Sequence, residues 1–213
     1  MIESHLELFH AGVIYDSLVF DLNLKREFVL PLDIKPLNTN RVIVGKAFTC
    51  HGQDLFDYTP IRDYVRFEML RHMKPNCIQV ISGGKAEIAR FGDISGILSR
   101  KHGAKAVIID GYTRDYDLLT IPVFCKGTSP KDAYGKWQID SFNVPIWIGE
   151  VLINPWDYLH CSRDGIIVIP TEHVNAIIGF ASARVERENS IRDKLYKNPS
   201  VSIISMYEKY GRW

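Results

Sequence analysis

Two rhythms of hydrophobic positions run along this chain. Over 6–18 the apolar residues recur at helical spacing, with Asp16 among them, and predict one or two short helices. Val42, Ile43, Val44, Ala47 and Phe48 make 40–49 a strand. A helix over 64–72 should end before Lys74-Pro75, and 76–81 is the next strand, broken by Ser82-Gly83-Gly84. Segment 92–102 reads as a helix with Asp93 as its N-cap and Gly103 as the residue that ends it. A buried strand over 105–110 follows.

Beyond 120 short β-runs take over. They are 121–126, 144–148, Val151-Leu152-Ile153, 158–161 and 166–169. Asn154-Pro155-Trp156-Asp157 separates two of them, and Arg163-Asp164-Gly165 predicts a hairpin between the last pair. Thr171 is placed to cap a long helix whose apolar positions Val174, Ile177, Ile178 and Ala181 keep helical spacing. Its later half is strongly polar, which fits either a solvated face or a surface packed on another subunit. Segment 200–213 is too apolar for a free tail and is expected to dock. The pattern is that of an α/β protein with a compact layered β core flanked by helices and a long C-terminal helix, without the regular β-α-β alternation of a Rossmann domain.

Composition narrows this picture modestly. A chain of 213 residues, 46% hydrophobic and 24% charged, suits a single soluble domain with helical residues 171–213 as a C-terminal extension. A net charge of +1 gives no basic face for nucleic acid or acidic membranes, so neither is expected as a partner. Cys50, Cys77, Cys125 and Cys161 are scattered without a CxxC pair, which predicts reduced, mostly buried thiols. The opening residues are too charged for a signal peptide, and no apolar run approaches a membrane span. The expected location is the cytoplasm.

Phosphate-binding loops, GxGxxG, HExxH and EF-hand loops are absent from the sequence. Gly92-Asp93-Ile94-Ser95-Gly96 is one residue out of step with a serine elbow, so Ser95 reads as a helix residue rather than a nucleophile. His51 suits an exposed loop or the edge of a site; Tyr112 and Trp137 suit packing or stacking on a ligand. Lys85 and Lys105 read as surface charges, which disfavours imine chemistry. The informative stretch is 91–119. Its helix start offers the free amides of Ile94 and Ser95 at the positive end of a helix dipole, where anions bind. The strand that follows delivers Arg114 and Asp115 to its carboxyl end, where open α/β sheets hold ligands. Arg114 suits a substrate carboxylate and Asp115 a hard metal ion. The same pair also fits a solvated turn or a local salt bridge.

These residues, in this order, resemble the RraA-like family, which joins class II 4-hydroxy-4-methyl-2-oxoglutarate/4-carboxy-4-hydroxy-2-oxoadipate aldolases with the ribonuclease E inhibitor RraA. The resemblance rests on Ala11-Gly12-Val13-Ile14-Tyr15-Asp16, Val44-Gly45-Lys46-Ala47-Phe48, the run 89–119, Ile121-Pro122-Val123, Asn143-Val144-Pro145 and Asp164-Gly165-Ile166. It implies a swivelling β/β/α fold and a homotrimer or hexamer with sites between subunits. It also implies Mg²⁺ or Mn²⁺ bound directly by Asp115 and through water by Asp93 and a neighbour's glutamate, Glu188 or failing that Glu186. Arg114 and the amides of Ile94 and Ser95 would hold a small 2-oxo acid, with Arg114, Asp93 and Asp115 as the catalytic set. The implied activity is retro-aldol cleavage to pyruvate, with oxaloacetate decarboxylation. A protein-binding regulator of a ribonuclease, or a related lyase or isomerase on a sugar-derived keto acid, shares the same residues. Ser95 stands where a second leucine is common, and Gly149-Glu150, 154–157 and the Trp213 tail also depart from the family pattern.

Overall fold

The computed structural model describes residues 2–55, 64–198, 200 and 202–211. Helices α1 (Ile2–Leu6) and α2 (Ala11–Asp16) open the chain, the latter running into a π-helical turn at Ser17–Asp21. Strands β1 (Lys35–Pro36) and β2 (Ile43–Asp54), helix α3 (Tyr64–His72) and strands β3 (Cys77–Ser82) and β4 (Ala89–Phe91) come next. Then follow α4 (Asp93–Lys101), β5 (Ala104–Ile109), β6 (Tyr112–Thr113), β7 (Val123–Cys125) and β8 (Gly127–Thr128). The second half holds β9 (Trp137–Phe142), β10 (Ile146–Ile148), β11 (Val151–Ile153), β12 (Tyr158–Cys161) and β13 (Ile166–Ile169). Two helices close it, α5 (Val174–Lys197) and α6 (Ile203–Tyr210).

Strand β2 organises the main sheet because both of its edges are used along its length. One edge pairs in parallel with β3 from Lys46 to His51. The other is divided: β12 pairs antiparallel with its first residues and β9 antiparallel with its last, across a register shift at His51/Gly52. The order β1-β7-β5-β3-β2-β12-β13 therefore joins a parallel half, β7-β5-β3-β2, to an antiparallel half. Strands β4, β6 and β8 each follow a strand of the parallel half (β3, β5 and β7) and form a small parallel sheet of their own.

Alternation along the strands sends every second side chain to each face. Ala47, Ile78, Val80, Ala106, Ile108 and Leu159 point one way and bury the β10–β11 hairpin. Phe48, Ile81, Val107 and Ile109 point the other way, under α3, α4 and the small sheet. On that second face the antiparallel half is covered separately, by α1, α2 and α5 over Val44, Tyr158, Ile167 and Ile169. The result is the layered mixed α/β architecture with a long C-terminal helix that the hydrophobic pattern predicts.

Helix α3 and the three strands β11, β12 and β13 fall on the expected residues. The 163–165 turn closes the β12–β13 hairpin, with the Ser162 amide donating to Gly165 O at 3.0 Å. All four cysteines are buried free thiols. Several expectations are corrected. Strand β2 runs on to Asp54, so His51 lies in a strand rather than a loop, paired with Asp140 at 3.0 Å. Thr171 does not cap α5: it opens a 3₁₀ turn, its hydroxyl donating to Trp156 O at 2.8 Å, and His173 precedes the helix. Asp93 is the first helical residue of α4, and Gly92 occupies the cap position. The tail docks through α6, whose Met206 is buried and whose Tyr210 hydroxyl meets Lys194 and Ser190 of α5. Trp213 lies outside the described residues. Strand β9, whose alternation breaks at Ser141, and the two- and three-residue strands of the small sheet are too short in pattern to announce themselves, and tertiary pairing completes them.

Candidate functional site

The small sheet brings the end of β4 beside the end of β6. Phe91 O accepts the Arg114 amide and the Thr113 hydroxyl, each at 3.0 Å, so the start of α4 and the Arg114-Asp115 corner are tied to one carbonyl. At Gly92 the backbone is extended, and the first-turn amides of α4, Ile94 and Ser95 among them, have no partner within the helix. Asp115 adopts the left-handed region (φ 57°, ψ 44°), uncommon for a residue with a side chain. Its carboxylate lies against Gly92: a Cβ there would come within 2.8 Å of Asp115 Oδ2 and 3.3 Å of Arg114 Cγ. Glycine leaves open the space beside the carboxylate.

Arg114 is shared between two acids. Its Nε lies 3.3 Å from Asp115 Oδ2 and its Nη1 2.8 Å from Asp132 Oδ2. Asp132 also accepts the Tyr134 amide at 3.0 Å, and that bond, followed by Arg114, holds its carboxyl below the usual carboxylate range against the opposing effect of burial. The Asp132 bond chiefly raises the Arg114 guanidinium further above its ordinary value. Both side chains are partly exposed, so the pair adds little to stability and serves to orient the guanidinium.

Arg114, Asp115, Asp132, Asp93, Ile94 and Ser95 line a single cavity of about 360 Å³. Every site residue expected from the sequence near the Arg-Asp corner is thus brought together. Glu188 is not among them: it pairs with Arg192 at 2.6 Å on α5, and α5 packs on α1, α2 and α6. Glu186 does not line the cavity either. Trp137 is almost fully buried, donates to Gly83 O at 3.1 Å and forms part of the wall. Three contributors escaped the sequence reading. Asp132 sits in an unpatterned loop, and Arg66 shares the face of α3 that carries the buried Met69 and Leu70, where a charge gives no sign of a site. Arg90 left a readable trace, a charged residue between the apolar Ala89 and Phe91 of a strand.

Asp93, Asp115 and Asp132 offer the oxygen donors that Mg²⁺ and Mn²⁺ prefer. Among the described residues no three His, Cys, Asp or Glu side chains form a closed ligand cluster. An aquated divalent ion on one or two carboxylates needs no such cage, and Gly92 leaves room at Asp115 for it. The residues present fit that kind of ion.

Fold and site together define an α/β protein with a cavity lined by arginines and aspartates where a helix N-terminus meets the carboxyl end of a sheet. A model of the RraA-like family (Aldolase/RraA) matches residues 13–168, and the chain belongs to that family. A protein of Halalkalibacterium halodurans named "Putative 4-hydroxy-4-methyl-2-oxoglutarate aldolase" is 28% identical over 83% of this chain and 82% of its own length. Streptomyces coelicolor RraAS2, described as an unusual member of the RNase ES inhibitor RraA protein family, superposes with a TM-score of 0.77 at 21% identity, covering 90% of this chain and 95% of its own. A structure described as novel cellulases from gut-associated microbes gives a TM-score of 0.81 at 24% identity, over 89% of this chain and 86% of that one. At such identities the two structural likenesses speak to fold alone. Among the described residues no helix is long and apolar enough to cross a membrane.

Proposed function

We propose that this protein is a divalent-metal-dependent lyase that cleaves a 4-hydroxy-2-oxo acid to pyruvate by retro-aldol chemistry and decarboxylates oxaloacetate. The observation that carries the reading is the convergence of Arg114, Asp115, Asp93 and the free amides of α4 on one cavity. Both reactions leave pyruvate enolate, whose negative charge gathers on the former 2-oxo oxygen. Arg114 stabilises that developing charge, and its orientation by Asp132 means little reorganisation is needed as the charge appears. The amides of Ile94 and Ser95 hold the pyruvyl carboxylate at the positive end of the helix. Asp115 would hold Mg²⁺ or Mn²⁺ directly, with Asp93 as a further carboxylate acting through water, and the metal would supply polarisation of the 2-oxo group.

In the proposed assembly, a homotrimer or hexamer, Glu188 or Glu186 of a neighbouring copy reaches the cavity; in its own chain neither lines it. The test is pyruvate formation from oxaloacetate with Mg²⁺ or Mn²⁺, with chelator and Arg114→Ala as controls. Turnover that needs the metal and is lost in the variant supports the lyase. Turnover no greater than that of the free metal sinks it, and leaves a protein-binding regulator as the reading to pursue by pull-down of RNA-processing proteins.

A further inference from the structure

The small sheet that leads into the Arg114–Asp115 corner is too short to fix itself. Its strands β4, β6 and β8 have three, two and two residues, and so few backbone pairs are marginal alone. A side chain supplies a further tie. Arg90, in the middle of β4, is 8% exposed, a depth at which arginine is rare unless its donors are matched. Its guanidinium crosses to the bend where the chain leaves β5 for β6. There Nη1 donates to Asp110 O, while Nη2 donates at 3.4 Å to Ala86 O, in the connection from β3 to β4. Gly111 makes the approach possible, since a Cβ there would come within 2.7 Å of Arg90 Nη1. The Trp137 ring centre lies 5.6 Å from the guanidinium carbon, and Trp137 is itself anchored by Nε1 donating to Gly83 O at 3.1 Å.

Lys126 holds the same bend. Its Nζ lies 3.0 Å from Asp110 Oδ1 and 3.3 Å from Asp33 Oδ2, and its amide donates to Gly111 O at 2.8 Å. Asp110 thus takes one cation on its carbonyl and another on its carboxylate, and the bends leading into β4, β6 and β8 are tied to one another. Burial lowers the pKa of the Arg90 guanidinium, and the charges of Asp110 and Asp54 restore part of it. Both terminal nitrogens of Arg90 are engaged by main-chain carbonyls, which is the arrangement of a strut. Bonds from a charged donor are about twice as strong as neutral ones. The corner itself begins three residues after Gly111, and Phe91, beside Arg90, accepts the Arg114 amide.

We propose that Arg90 is a positioning residue: bonded to Asp110 O and Ala86 O, it fixes the bend before β6 and so sets where Arg114 stands relative to the first turn of α4. Such support matters because misplacing a catalytic group by about 1 Å can cost about 10²-fold in rate. Arg90 acts through Arg114 and does not touch the substrate. Its effect on turnover rests on the lyase reading; the tie itself does not.

The experiment compares the full-length wild type with Arg90→Met, which keeps an extended side chain and removes its donors. Amide hydrogen exchange is the first readout. Exchange over 110–115 should quicken by at least about tenfold, while the β12–β13 hairpin keeps its wild-type protection. Unchanged exchange over 110–115, or equal quickening in both regions, overturns the tie whether or not the protein is a lyase. The second readout is metal-dependent pyruvate formation from oxaloacetate, measured as a cycle with Arg114→Ala. Arg90→Met should lower kcat by about tenfold or more when Arg114 is present, and by less than about threefold once Arg114 is gone. Losses that simply multiply overturn positioning through Arg114, because a smaller folded fraction or a direct contact with substrate gives that result. Should Arg90→Met not fold, Arg90→Lys keeps the charge without the fork and should show the same pattern in smaller measure. Absence of wild-type turnover removes the lyase reading alone, and the exchange measurement then decides on Arg90.

Discussion

The same face of the main sheet is covered twice, and the two covers differ in kind. Over the antiparallel half, α1, α2 and α5 close on Val44, Tyr158, Ile167 and Ile169 in a dry contact. Buried in it is His160, whose Nε2 lies 3.0 Å from Phe9 O. Over the parallel half, α3, α4 and the small sheet leave a cavity edged by three arginines and three aspartates. The difference follows from connectivity. An antiparallel hairpin such as β12–β13 turns directly back and satisfies its own backbone. Parallel strands must be joined by crossovers, so strand ends, a helix start and several loops collect at one edge with polar groups to spare. The wet half is therefore where chemistry is available, and the dry half holds it in place.

The largest effect that would sharpen this contrast is expected on the wet side. Arg114→Ala should lower metal-dependent pyruvate formation by about 10²–10³-fold, the usual consequence of removing one oriented donor to a developing oxyanion. Its unfolding midpoint should stay near wild type because the ion pairs it loses are half-exposed. On the dry side the pattern reverses. Ile177→Ala, at a fully buried position of α5, should cost about 2–5 kcal/mol in urea unfolding. The folded fraction should keep its turnover per site. A catalytic loss at Ile177 as large as that at Arg114 would erase the division of labour.

A smaller effect is expected from Gly92→Ala. The backbone there (φ −156°) suits any residue, so the fold should tolerate the change. The new methyl would meet Asp115 Oδ2 at 2.8 Å, and Mg²⁺-dependent turnover should fall by about tenfold or more as the carboxylate is displaced. Unchanged turnover and metal dependence would detach Asp115 from the site.

The smallest effect is set by pH. Burial holds the His160 imidazole below its ordinary pKa, and Nδ1 is buried without a partner. The folded protein therefore keeps it neutral, while the unfolded chain takes up a proton below about pH 6.5. Stability from this group is complete above that pH and is lost as pH falls toward the depressed folded pKa, by at most about 1.4 kcal/mol per pH unit. Urea unfolding of wild type and His160→Gln at pH 7.5 and 5.0 checks it: the gap between them should shrink on acidification. A gap independent of pH would remove His160 from the account.

Much of the scaffold was legible because it is written in local periodicity. The 64–72 helix, the strands at 151–153, 158–161 and 166–169, and the long helix after 170 all carry a clear spacing of apolar residues. The Arg114-Asp115 corner was legible for a related reason: helix, turn, strand and charge pair are contiguous in sequence. Strand β9 was missed, since the alternation of Trp137-Gln138-Ile139-Asp140 lasts only four residues before Ser141 breaks it, and pairing with the end of β2 completes it. The capping assignments failed at Asp93 by one residue and at Thr171 by two, since a 3₁₀ turn at Thr171–His173 precedes α5 and the Thr171 hydroxyl donates to Trp156 O. Arg66 was invisible as a site residue because a charge on a helix reads as solvated until another element is seen beside it.

By itself, then, the sequence determined the helices and longer strands with clear periodicity, many of the side chains that face inward, and that an arginine and an aspartate stand together after a buried strand near a helix start. Those are properties of neighbours along the chain, set by backbone sterics and the hydrophobic effect. Only the tertiary structure decided that Asp132 orients Arg114, that Gly92 makes room for Asp115, and that Arg66 and Arg90 line the same cavity. Charge pairing acts through space over a few ångströms, here between Arg114 and Asp132, 18 positions apart, and no periodicity along the chain encodes it.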